Sequence, residues 1–382
     1  MTHFRKLRTA ILLCAGVVLA ATAVSAADYW MYAGTYTSAG SKGIYAWRFQ
    51  AESGKATAMG AAAATGNPSF LLVHPNHKVL FAVNENGSET VMGSVSSFSI
   101  DSKSGKLTPL NWVSSRGGAP CHLALDRTGK WLAVANYASG SVAVLPVGAD
   151  GKLGEAAAFV QQHGSSVHPA RQAGPHAHSS LFSPDNRFLL VADLGADKIF
   201  IYRFDAANGS IVPNDPPFVA AEPGAGVRHL VFHPNGKIVY AINELASSVA
   251  VFRYDGARGA LEELQTVSTL PPHYEGANTA AEIAIDAAGG HVYASNRGQD
   301  TLALLAVDPE VFTLTAMEFP PAMGKTPRYF VFDPEGANLV VAGQDSSDLE
   351  IFQVYRRTGQ IQPRGRPLNV PNPACVVFVA IR

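Results

Sequence analysis

Apolar residues in this chain come in short runs separated by turns, and the runs recur as a set. The stretch 224–249, GAGVRHLVFHPNGKIVYAINELASSV, shows the unit: an apolar run at 230–232, a His-Pro-Asn-Gly turn, a second apolar run at 238–242, then Asn243-Glu244. The turn position is met again at His74, Asp126, Ser183, Asp286 and Asp333, at intervals of about fifty residues. A second apolar strand follows each turn, at 79–83, 131–135, 188–192, 291–295 and 339–342 in the other copies. Third strands follow, for instance at 95–100, 198–204, 249–254 and 350–355. Glycine hairpins such as Asp205-Ala-Ala-Asn-Gly209 then lead to a fourth.

Four short strands per unit predict an all-β fold, a β-propeller with four antiparallel strands in each blade. Six copies are complete, and the ends supply a seventh. The run after Asn372 matches a first strand with nothing behind it; 29–34, 43–49 and the turn Glu52-Ser-Gly-Lys55 match strands two and three with no first strand before them. The last blade is therefore expected to be closed by the N- and C-terminal strands, giving seven blades in one domain over 27–382.

Residues 1–26 do not fit the repeat. Arg5, Lys6 and Arg8 precede an apolar run over 10–24, and Val24-Ser25-Ala26 offers small residues for cleavage, which reads as a secretory signal peptide. The mature chain is expected in a periplasm, with no membrane segment after cleavage and as a monomer. Formal net charge is −1, so no basic stripe for nucleic acid is expected. Cys121 and Cys375 lie in apolar strands and read as buried free thiols.

Positions that recur in every copy serve the blade, whereas polar positions that differ are candidates for a site. The residue closing the second strand is Asn84, Asn136, Asp193, Asn243 or Asn296, with Gly343 and Gly34 in the remaining copies; all tolerate left-handed backbone and read as turn residues. The next residue differs in almost every copy: Thr35, Glu85, Tyr137, Leu194, Glu244, Arg297, Gln344. Every copy places it at the same end of the ring, so these side chains are expected to converge near the central channel. The start of the innermost strand gives two further registers, Ser69, Cys121, His178, Arg228, Ala281 and Arg328, and Phe70, His122, Ser179, His229, Glu282 and Tyr329. Strand alternation points one of them at the channel, and a turn at the strand mouth would bring in both.

These positions gather guanidiniums, carboxylates and imidazoles, a set suited to holding a small anionic ligand and activating water by general base. No G-x-S-x-G elbow, Walker or Rossmann glycine pattern is present. His176 and His178 stand two apart, a spacing zinc can use, but no third ligand lies nearby in sequence. No metal and no cofactor is expected.

The stretches Gly174-Pro-His-Ala-His-Ser179, Gly226-Val-Arg-His229, Asn243-Glu244-Leu245, Ala281-Glu282-Ile283, Ser295-Asn296-Arg297-Gly298 and Ala342-Gly343-Gln344-Asp345 carry a resemblance that covers essentially the whole mature chain. It resembles the seven-bladed lactonases related to the bacterial propeller-type 6-phosphogluconolactonase, a family that also includes fungal carboxy-muconate cyclases. The resemblance implies metal-independent hydrolysis of a sugar δ-lactone. It implies Glu244 with His178 or His176 as the water-activating base, and Arg228 and Arg297 on the anion and the oxyanion. His229, Glu282, Arg328, Gln344, Glu85, Tyr137 and His122 would contact substrate. Val227 stands where the family motif reads Pro, and export points away from a phosphorylated substrate. A lactone-forming cyclase and a non-catalytic binding propeller are the competing readings.

Overall fold

The computed structural model describes residues 28–381; the leader expected at 1–26 lies outside the described residues. The sheets follow the repeat. Blade 1 comprises Leu71–Val73, Val79–Asn84, Ser94–Ile100 and Leu107–Ser114; blade 2 comprises Pro120–Leu125, Trp131–Asn136, Ser141–Pro146 and Ala158–Gln161. Blades 3, 4 and 5 begin with Ala177–Phe182, Val227–Phe232 and Thr279–Ile285, and each adds three more antiparallel strands in sequence order. Blade 6 begins with Pro327–Phe332, and its outermost strand is split into Ile361–Pro363 and Leu368–Asn369, both paired with Asp348–Val354.

Blade 7 closes the ring as expected. Pro373–Ala380 is its innermost strand and pairs antiparallel with Asp28–Thr35, which is followed by Gly43–Gln50 and Lys55–Ala64. Each innermost strand touches the next around the circle, through blade 7 and back to blade 1. Closure between the two ends of the chain therefore rests on backbone pairing and packing alone.

Burial explains the sequence pattern. Second strands such as Val79–Asn84, Ile238–Asn243 and Asn338–Gly343 are buried along their full length, because neighbouring blades cover both faces; hence their unbroken apolar runs. Outermost strands such as Lys55–Ala64 are mostly exposed. The core is a ring of interblade layers: one joins Leu190 and Ile201 of blade 3 to Val239 and Phe252 of blade 4, the next joins Tyr240 to Val292 and Leu305 of blade 5.

One local expectation is corrected. Asn84, Asn136, Asp193, Asn243 and Asn296 do not take left-handed backbone. They end their strands in ordinary geometry and use the side chain instead. Asn84, Asn136 and Asn296 each donate Nδ2–H to a backbone carbonyl near the end of the preceding outermost strand, Gly66, Ser115 and Thr269, at 2.7–3.0 Å. Gly34 replaces the amide for a steric reason: a Cβ there would lie 2.1 Å from the Pro68 carbonyl oxygen.

Candidate active site

The innermost strands of blades 2, 3, 4 and 6 share an irregularity at the same place. Pairing with the second strand skips Cys121, His178, Arg228 and Arg328, and in blade 5 it skips Ala281 and Glu282. A bulge of this kind leaves one residue unpaired and re-aims its side chain. Both registers considered from the sequence thereby turn toward the axis, at different depths. Cys121, His178 and Arg328 line a cavity of about 540 Å³ at one mouth of the channel. Phe70, His122, His229 and Tyr329 pack edge to face and tilted against one another deeper in the channel, with ring centroids 4.2–6.4 Å apart.

The variable position after the second strand converges as expected: Glu85, Tyr137, Glu244, Arg297 and Gln344 all line the same cavity. Thr35 and Leu194 do not; Thr35 is buried and donates to the Gly43 carbonyl at 2.6 Å, and Leu194 is buried apolar surface.

Glu244 is the centre of the charge arrangement. Its Oε1 accepts from Arg171 Nη2 at 2.6 Å, and its Oε2 lies 2.9 Å from Arg297 Nη2 and 3.0 Å from Arg228 Nε. The two contacts to Oε2 are ion pairs that fall short of hydrogen-bond geometry; Arg297 Nη2 donates instead to the Ala280 carbonyl at 2.8 Å, and Arg228 Nε and Arg297 Nε are both buried without a hydrogen-bond acceptor. Burial alone would raise the Glu244 pKa; the charges of Arg297, Arg228 and Arg171 outweigh it and hold the carboxyl at about 2. Arg171 comes from the connection between blades 2 and 3, outside the repeat register, and also donates to Tyr137 Oη at 3.2 Å. Arg328 donates to Tyr36 Oη at 2.8 Å, and Tyr36 donates to Glu85 Oε2 at 2.7 Å. Ser69 also hydrogen-bonds Glu85. Four guanidiniums thus face two carboxylates, an excess of positive charge in a partly enclosed cleft.

His178 is buried at the cavity wall, edge to face with Tyr137 at 5.5 Å, with Nδ1 4.0 Å from the Cys121 sulfur. Burial first, and then the charge of Arg228, push its pKa well below the usual imidazole range, so it is neutral.

Several residues expected to touch substrate lie elsewhere, and Arg228, in contact with Glu244, is itself buried behind the cavity wall rather than in its lining. His176 is stacked on Tyr137 at 4.6 Å and tied to the Tyr137 carbonyl at 2.9 Å, beside the cavity rather than in its wall. His229 and Glu282 pair with each other beneath the cavity at 3.1 Å. His122 opens toward a separate, largely apolar cavity at the other end of the channel. The cause is the bulge, which splits the two registers between cavity wall and channel interior. Among the described residues no three His, Cys, Asp or Glu side chains gather to hold a metal ion. Cys121 and Cys375 are free and buried, as read from the sequence.

Three comparisons bear on this arrangement. Residues 30–378 match the family described as Lactonase, 7-bladed beta-propeller. The chain is 33% identical over 348 residues to the 6-phosphogluconolactonase of Bacillus subtilis, covering 91% of this chain and 97% of that protein. A 6-phosphogluconolactonase of Formosa agariphila is 34% identical over 345 residues, covering 89% and 96%. Among solved structures, the periplasmic gluconolactonase PpgL of Pseudomonas aeruginosa superposes with a TM-score of 0.87 at 37% identity, covering 93% of this chain and all of that one. The chain belongs to the seven-bladed β-propeller lactonase family.

Proposed function

We propose that this protein is an exported lactone hydrolase that opens a sugar δ-lactone to its aldonic acid at the Glu244 cleft. The observation that carries the reading is the cluster itself: one buried carboxylate clamped by Arg171, Arg228 and Arg297 at the channel mouth. Family membership and the similarity to enzymes named for lactone hydrolysis support it.

The residues divide the work as follows. Arg297 presents guanidinium N–H groups from the cavity wall to the lactone carbonyl, where negative charge develops when water adds, and Arg228, buried behind the wall, adds its positive charge. Arg328 and Gln344 hold the sugar side of the cleft. Both oxygens of Glu244 are taken up by Arg171, Arg297 and Arg228, so Glu244 anchors and orients the guanidiniums. His178, neutral and in the cavity wall, is the imidazole placed to take a proton from the attacking water. Water addition gives a tetrahedral oxyanion; its collapse breaks the ring C–O bond, and the ring oxygen leaves with the proton His178 had taken.

Export follows from the leader read at 1–26 and favours unphosphorylated aldonolactones. Acid release at fixed pH from fresh glucono-δ-lactone and from its 6-phosphate, with the spontaneous rate subtracted, tests the reading. Wild type should accelerate the first substrate more than the second, and Arg297→Gln should lose ~10²-fold or more in kcat/KM. Wild-type rates equal to the blank on both lactones would remove it.

A further inference from the structure

Beneath the cleft, Arg228 is held by a second chain of contacts. Its Nη1 donates to the Ala281 carbonyl at 2.6 Å and lies 3.3 Å from His229 Nε2. A guanidinium has N–H donors and no acceptor, so His229 Nε2 must offer its lone pair, and the imidazole proton must sit on Nδ1. That nitrogen is 3.1 Å from both oxygens of Glu282, which reaches across from blade 5. Both residues are buried. The order is thus Glu282, His229, Arg228, Glu244, running from the channel interior to the cleft.

We propose that Glu282 and His229 are positioning residues that set the orientation of the Arg228 guanidinium by fixing the imidazole tautomer. The effect on rate rests on the lactonase reading above; the tautomer does not. Glu282 Oε1 also accepts from the Ile283 amide at 3.0 Å. Because Nδ1 lies 3.1 Å from both carboxyl oxygens, Nδ1–H keeps an acceptor whether Glu282 is ionised or protonated, and the tautomer that faces Arg228 is held in either state.

The surroundings of Glu282 allow it to titrate near neutrality. Arg228 and His229 face it from blade 4, His122 from blade 2, Arg328 and Tyr329 from blade 6, and Cys375 from blade 7. Burial raises its pKa to about 7, against the lowering pull of Arg228.

The test uses mature protein labelled with 15N-histidine, with the His229 signal identified by its loss in His229→Gln. In wild type, and in Glu282→Gln, whose amide oxygen still accepts from Nδ1–H, His229 should be protonated at Nδ1 at pH 8 and at pH 6. In Glu282→Leu, which offers Nδ1–H no acceptor, that tautomer should be lost. On glucono-δ-lactone, kcat/KM should stay within about threefold of wild type in Glu282→Gln and fall about tenfold in Glu282→Leu, the size lost when a partner orienting a functional side chain is removed. A wild-type His229 that carries its proton on Nε2, or a cooperatively folded Glu282→Leu with the wild-type tautomer and kcat/KM, overturns the proposal. If the tautomer is lost in Glu282→Leu alone while none of the three proteins opens the lactone, the positioning pair stands and the lactonase reading falls.

Discussion

Arg228 and His233 are five residues apart on one innermost strand and its turn, yet their surroundings follow opposite rules. His233 accepts from the Asn235 amide at 3.0 Å and is 3.2 Å from the Gly289 carbonyl of the next blade. His74 repeats this with Asn76 and Gly129 at 3.1 Å each. Where the turn carries aspartate, as at Asp126 and Asp333, the carboxylate accepts two backbone N–H groups of its own turn at 2.8–3.0 Å. At that end these four turn residues satisfy their polar groups locally or against a neighbouring blade, although His77 Nδ1 in the first turn is left without a partner. At the other end Arg228, Arg297 and Arg171 share one carboxylate, and guanidinium N–H groups stay buried without acceptors. At the turns, repeated residues complete one another, whereas the unrepeated residues around Glu244 gather several charges on one carboxylate.

Variants can break this contrast at either end. The largest effect should come from deleting 372–382, which removes the innermost strand of blade 7 and leaves a broken ring. Thermal melts followed by circular dichroism should lose their cooperative transition, and an unchanged melt would contradict closure. Glu244→Gln comes next, because it leaves three buried guanidiniums without their counter-charge. It should lower Tm at neutral pH. The sign follows from the depressed pKa: the carboxylate stabilises the fold above the ordinary glutamate range, and that stability is lost as pH falls toward 2. The gap in Tm between wild type and variant should therefore shrink as pH is lowered through that window.

His233→Ala should do the reverse of a site variant: a Tm lower by a few degrees, for about 1–2 kcal/mol of lost hydrogen bonding and packing, with kcat/KM unchanged. A large loss of activity without a loss of Tm would erase the distinction between the two ends. The last effect is a pH dependence and belongs to Glu282. Because burial raises its pKa to about 7, the folded chain holds a proton that the unfolded chain has released, and wild-type stability falls as pH rises from the ordinary glutamate range to neutrality. Glu282→Gln should gain Tm relative to wild type between pH 5 and pH 8; a constant difference would show that Glu282 does not titrate there.

The fold was legible because each blade prints the same strand-turn-strand pattern, and the split seventh blade showed as half-patterns at the two ends. The convergence of Glu85, Tyr137, Glu244, Arg297 and Gln344 was legible for the same reason: one register position, one end of the ring. Arg171 was not, since it lies in a connection that no other blade repeats. Tyr36 was missed similarly, in the turn after Asp28–Thr35. The depth of His229 and Glu282 was hidden by the bulge: alternation allows one register to face the axis, whereas an unpaired residue brings in both.

The central claim is that the guanidiniums around Glu244 open the lactone. It is tested most directly by kcat/KM for glucono-δ-lactone in wild type and Arg297→Gln, each with a melt on the same preparation. We expect the variant to melt cooperatively and to lose ~10²-fold or more, the size of one missing oxyanion donor. A cooperatively folded Arg297→Gln within about threefold of wild type, less than 1 kcal/mol of transition-state stabilisation, would contradict the account.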